Sequence, residues 1–143
     1  MSVSQEALGY RHNVIAAASG VDIYLTNAQT VTFYSFLDAG TQTLTLTEAI
    51  NGGSDVALAI IDHVYKAPGV GGVWTEVTQT AANTFDLTTD ATNDCFAVTV
   101  RAKQLTDGYN TVKATVDSGI CFAVITDLDE IAHPDKLPSP IAA

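Results

Sequence analysis

The strongest constraint on the fold lies between residues 94 and 127. There DCFAVTVR (94–101), LTDGYNTVKATVD (105–117) and GICFAVITD (119–127) follow one another with only tight polar turns between them. Runs rich in Val, Ile, Thr and Phe, punctuated by Asp-Gly and Asp-Ser-Gly, have the composition of short strands joined by hairpin turns. The stretch predicts an antiparallel meander, and no catalytic constellation interrupts it.

The rest of the chain extends the same reading. DIYLTN (22–27) and TVTFYSF (30–36) predict two strands, the second with Val31, Phe33 and Ser35 on one face and Thr32, Tyr34 and Phe36 on the other. An aromatic on each face predicts a strand covered on both sides, one of them by a neighbouring subunit. In TLTLTEA (43–49) Leu44 and Leu46 alternate with Thr43, Thr45 and Thr47, the period of a half-buried strand. NGGS (51–54) reads as a turn. The stretch VALAIIDHVYK (56–66) fits a three-turn helix through Val56, Ile60 and Val64, or a strand. The Gly- and Pro-rich link APGVGG (67–72) and the β-type run VWTEVTQT (73–80) favour a strand from about residue 60 to 66, paired as a hairpin. NTFDLTT (83–89) adds another. Eight to ten short strands with frequent turns predict an all-β chain, an antiparallel sandwich of jelly-roll type.

At 143 residues the chain is expected to form one domain, burying about 68–70% of the surface exposed by its unfolded form. Three segments are expected: an N-terminal arm over 1–20, a sandwich over 21–128 and a Pro-rich C-terminal arm over 129–143. The last rests on three prolines within residues 134–140, a density that favours an extended arm and excludes a central strand. Six Lys and Arg against 16 Asp and Glu give a net charge of −10, which disfavours nucleic acid and anionic membranes as partners. Residues 1–12 lack the basic and apolar regions of a secretory signal, and no apolar run approaches the roughly 20 residues of a membrane span. The expectation is a protein made and held in the cytoplasm until assembly or release.

Candidate chemistry fails residue by residue. Cys95 and Cys121 share the context CFAV, which suggests a disulfide, but the outer strands of a meander lie two spacings of about 4.8 Å apart, beyond easy bonding reach. Two reduced core thiols are expected instead. His12, His63 and His133 have no second ligand at metal spacing. Asp127, Asp129 and Glu130 lack the twelve-residue pattern of a calcium loop, and Gly69, Gly71 and Gly72 do not open a helix as a phosphate loop does. Trp74, with Tyr24, Tyr34, Tyr65 and Tyr109, leaves a carbohydrate-binding module as a distant alternative. No catalytic residue, cofactor or metal is expected, and the chain reads as a structural or binding part.

Three pieces carry a resemblance: TLTLTEA followed by LAIIDHVYK (58–66); GVGGVWTEVTQTAANTF (69–85); and DCFAVTVRAKQLTDGYNTVKATV (94–116) with its closing strand and Pro-rich end. In this order, over roughly residues 40 to 140, the chain resembles small structural proteins of bacteriophages with tails that infect actinobacteria and related hosts. The resemblance implies a virion component, a capsid decoration (cement) protein on the outer face of the head, with a tail-tube or other virion part as the alternative. It further implies the major capsid protein as partner and a homo-oligomer, a trimer among the states expected. Where the family carries an Arg near its C-terminal tail, this chain has Lys136. The strand over 31–36 and both arms are the expected contacts, through Leu8, Tyr10, Phe33, Phe36, Leu137 and Ile141.

Overall fold

Two antiparallel sheets pack into a sandwich. The computed structural model describes residues 7–17, 20–26, 28–37, 40–68, 72–89, 94–128, 134–136 and 139–141. Among the described residues eleven strands run in chain order: β1 (His12–Ala16), β2 (Ile23–Tyr24), β3 (Ala28–Leu37), β4 (Thr41–Ala49), β5 (Val56–Ala57), β6 (Ile61–Ala67), β7 (Thr75–Ala82), β8 (Thr84–Thr88), β9 (Asp94–Arg101), β10 (Thr111–Val116) and β11 (Ile120–Leu128). The six-stranded sheet has the order β1-β11-β3-β9-β6-β7. The second sheet runs β2-β10-β4-β5, with β8 also paired to β4.

Alternation decides which side chains form the core. In β3, Val31, Phe33, Ser35 and Leu37 point inward and are buried, as do Leu44 and Leu46 of β4. Phe96, Val98 and Val100 of β9, with Cys121, Ala123 and Ile125 of β11, complete the inner face of the larger sheet. Val112 and Ala114 of β10, with Phe85 and Leu87 of β8, meet them from the other side. The ambiguous segment 56–66 is the short strand β5 followed by β6, and β6 pairs antiparallel with β7 as the hairpin predicted.

The meander does not form. Among the described strands, the consecutive pairs that bond to each other are β4–β5 and β6–β7; the other steps cross between the sheets. β9 and β11 flank β3 in one sheet, while β10 lies in the other, paired to β2 and β4. The β10–β11 link at 117–119 is therefore an arch across the sandwich, whose sheets stand about 10 Å apart. It is pinned to β4: Thr43 N donates to Asp117 Oδ1 at 2.8 Å, Ser118 Oγ to the Thr41 carbonyl at 3.3 Å, and Gln42 Nε2 to the Ser118 carbonyl. Gly119 takes φ +74° there, and a Cβ would stand 2.9 Å from the Phe36 carbonyl. Only glycine meets both demands without strain.

This topology also settles the cysteines. Cys95 lies opposite Phe36 on the outer face and Cys121 opposite Ser35 on the inner, on opposite sides of the sheet; both are free, but only Cys121 is the core thiol expected, because alternation turns half-buried Cys95 outward. Burial pushes both thiols above their ordinary range, partly offset at Cys121 by the Ser35 hydroxyl. Because the thiolate is the nucleophile, native protein is expected to alkylate slowly at neutral pH, Cys95 ahead of the more buried Cys121. Mass spectrometry of iodoacetamide time courses, native against urea-unfolded, checks this; Cys121 reacting first contradicts the placement.

The expected arms are corrected where they are described. Residues 12–16, assigned to an N-terminal arm, are strand β1, because β11 bonds to β3 on one side and its other edge needs a partner. Near the C-terminus, the Pro140 carbonyl accepts from Tyr24 N at 2.9 Å, and Ile141 bridges Ile23, so this piece lies along β2 of its own chain.

Candidate docking face of the six-stranded sheet

The outward side chains of the larger sheet form rows fixed by strand register. Ile120, Phe36 and Cys95 make the first row, and Ala16, Phe122, Tyr34, Ala97 and Tyr65 the second. Val14, Val124, Thr32 and Thr99 make the third. No charged residue stands in these positions. Several are large and open to solvent: Ile120 is 65% exposed, Val14 41% and Phe36 40%. Charge returns at the margins, with Glu76 beside Tyr65, and with Arg101 and Asp127 beyond Thr30.

Three rings form the centre. Phe122 stacks on Tyr34 directly across the strand pair, with centroids 5.5 Å apart and planes 24° apart. It also stacks diagonally on Phe36, at 5.9 Å and 14°. Cross-strand aromatic pairs stabilise a sheet by roughly 0.2–1 kcal/mol each. The stacking also holds the rings in one arrangement, and a surface ordered in advance loses less entropy in any contact it makes. The hydroxyls of Thr32 and Thr99 bond to each other at 3.1 Å, so that row too is internally satisfied.

The expected contact residues fall in different places. Phe36 lies in this face, but Phe33 is fully buried in the core; on a strand that alternates in and out, two positions an odd number apart cannot share a face. Phe33 is withdrawn as a contact. Leu8 and Tyr10 lie in the turn before β1, where Gly9 N donates to the His12 carbonyl at 2.8 Å. His12 is in register with Thr126 and Thr30, so this turn stands six strand residues from Phe36, about 20 Å away. Ile141 sits on β2 of the other sheet, and Leu137 lies outside the described residues. Residues 120, 122, 124 and 14 were missed, although 120–125 carries the same signal as 31–36: apolar side chains at both odd and even positions.

Other concavities are less developed. A hollow of about 180 Å³ beside β6 is lined by Asp62, His63, Tyr65, Arg101 and Gln104. His63 Nδ1 lies 2.6 Å from Asp62 Oδ1, and both side chains are exposed, so the pair is solvated. A cleft of about 270 Å³ opens between the sheets beside β7 and β8. Among the described residues, no group of three or more His, Cys, Asp or Glu could hold a metal ion, and no helix is long and apolar enough to cross a membrane. Comparison with protein-family profiles, characterised proteins and solved structures found no match to this chain.

Proposed function

We propose that this chain is a non-enzymatic virion component, a decoration protein that docks the outer face of its six-stranded sheet on the major capsid protein and stabilises the assembled head. The observation that carries the docking is the charge-free face centred on Tyr34, Phe36 and Phe122, in a chain whose net charge is −10. Exposed apolar patches rimmed by polar groups are characteristic of protein contacts, and interface cores are depleted of charge and enriched in aromatics. The virion assignment draws on the sequence resemblance.

Size agrees with such a contact. Six strands at about 4.8 Å and eight residues at about 3.4 Å give the whole outer face, its charged margins at Glu76 and Arg101 included, as roughly 29 by 27 Å. That is on the order of the 800 Å² per partner of a standard interface. A protein that binds only the assembled shell stabilises it by mass action, in proportion to the logarithm of its concentration over its dissociation constant. A sugar ligand suits the face less well. Small-molecule sites fix orientation with a few placed polar groups, and the positions around the three rings are Ala, Val, Ile, Cys and Thr.

Co-sedimentation with heads of the parent phage stripped of this protein tests the reading. Saturable binding at a fixed copy ratio is expected, and Phe36→Asp should weaken it by about a hundredfold, since it puts a charge in the interface core. Absence of binding by folded wild-type protein overturns the head assignment, and polymerisation into rings or tubes then assigns it to the tail tube.

A further inference from the structure

One turn carries a chemistry that the docking face does not use. Asn51-Gly52 is the single Asn-Gly pair in the sequence, and it lies between β4 and β5. Asn51 has φ +52° and Gly52 φ +70°, and Gly53 N donates to the Ile50 carbonyl at 3.0 Å. Two central residues of positive φ closed by that bond make a type I′ turn, for which Asn-Gly is a preferred pair. The same pair is chemically labile. Glycine has no side chain to shield its backbone nitrogen, so in an open chain Gly52 N reaches the side-chain carbonyl carbon of Asn51.

What surrounds the turn opposes that reaction. Asn51 N donates to Asn110 Oδ1 at 2.7 Å, and Asn110 Nδ2 donates to Asn51 Oδ1 at 2.7 Å. The first bond fixes which end of the Asn110 amide is oxygen, and the second follows from it. Gly52 N donates to Thr111 Oγ1 at 3.3 Å, and that hydroxyl donates in turn to the Ala49 carbonyl at 2.9 Å. Thr111 is fully buried, and Asn110 N donates to the Ala49 carbonyl at 3.2 Å, so the clasp stands on the start of β10. Asn51 itself is exposed to water.

We propose that Asn51 is a deamidation site held shut by Asn110 and Thr111, which converts when the turn lifts off the start of β10. In the open turn the Gly52 nitrogen loses its proton to solvent and attacks Asn51 Cγ. The new C–N bond closes a cyclic succinimide, and the side-chain nitrogen leaves as ammonia with a proton returned by solvent. Water then opens the ring at either carbonyl, giving aspartate or isoaspartate, and each product adds a negative charge. Aspartate suits the same turn, since Asp-Gly is also a type I′ pair. Isoaspartate puts an extra methylene into the backbone and does not fit it. In the closed turn the nucleophile's proton is bonded to Thr111 and the electrophile's oxygen to Asn110, and both bonds have to break first. This chemistry is independent of the docking face and of the virion assignment.

The full chain, native and guanidinium-unfolded, is incubated at mildly alkaline pH, and peptide mapping by mass spectrometry follows asparagine, aspartate and isoaspartate at residue 51. Native protein is expected to convert about tenfold more slowly, the factor that one to two hydrogen bonds of ordinary net strength supply. Asn110→Ala leaves the labile pair intact. Folded by circular dichroism, it should recover most of that factor in buffer and match the wild-type rate in guanidinium. Wild-type protein that converts as fast native as unfolded overturns the proposal without any variant. So does an unfolded chain that keeps its Asn51, or a folded Asn110→Ala that converts no faster than native wild-type protein.

Discussion

Asp94→Ala is expected to destabilise the fold by about 3–5 kcal/mol, the range for breaking a buried ion pair from one side. Asp94 opens β9 with no exposed side-chain surface, and its Oδ2 lies 3.7 Å from Nζ of Lys66, which is 12% exposed. The same ammonium donates to the Thr88 carbonyl at 3.0 Å and stands 5.7 Å from the Phe96 ring centroid. Lys66 belongs to the six-stranded sheet and Thr88 to the other, so one side chain ties the layers together at their open flank. Removing the carboxylate takes one counter-charge from an ammonium that is only 12% exposed, and leaves a gap at a position with no exposed surface. A domain of this size should lose on the order of 10–20 °C in Tm. The double substitution Lys66→Met with Asp94→Leu is expected to recover most of that, because apolar replacements of a buried pair are often neutral. Urea melts of the three variants decide the matter. A loss under about 1 kcal/mol for Asp94→Ala would mean that the other contacts of Lys66 already compensate its charge.

What the sequence made legible, and what it left hidden, follows from what a period of two encodes. Alternation in 30–36 and 43–49 states which residues share a face, and β3 and β4 bear this out side chain by side chain. It does not state which strand lies next door. The runs at 94–101, 105–117 and 119–127 have the composition of a meander. Yet the arch at 117–119 sends β10 to the opposite sheet, and what fixes it there is distant in sequence: Thr41, Gln42 and Thr43. Strand β1 was hidden for a similar reason, since HNVIA is short and acquires strand geometry from the edge of β11. The docking face was half legible. Phe36 and Tyr34 were placed on a common side, but Phe122 joins them only through register with Tyr34, which no local pattern reveals.

The clearest test of that face contrasts two phenylalanines three residues apart in β3. Phe33 has no exposed surface and packs in the core, where truncation removes buried area and leaves a cavity. Phe33→Ala should therefore lower stability by about 3–5 kcal/mol. Phe36, 40% exposed on the outer face, gives up one diagonal ring contact to Phe122, so Phe36→Ala should change stability by less than about 1 kcal/mol. Binding is expected to invert the ranking. Truncated aromatic anchors at the centre of an interface cost about 2 kcal/mol or more in affinity, so folded Phe36→Ala should release from stripped heads at concentrations where wild-type protein stays bound. Phe33→Ala, assayed at a temperature where it remains folded, should bind as wild type does, because its side chain never reaches the surface. Denaturant melts and co-sedimentation on the same two preparations give both orderings. Loss of stability in Phe36→Ala equal to that in Phe33→Ala would make the outer rings part of the fold rather than of a contact. Unchanged binding by a stable Phe36→Ala would move the contact off this face.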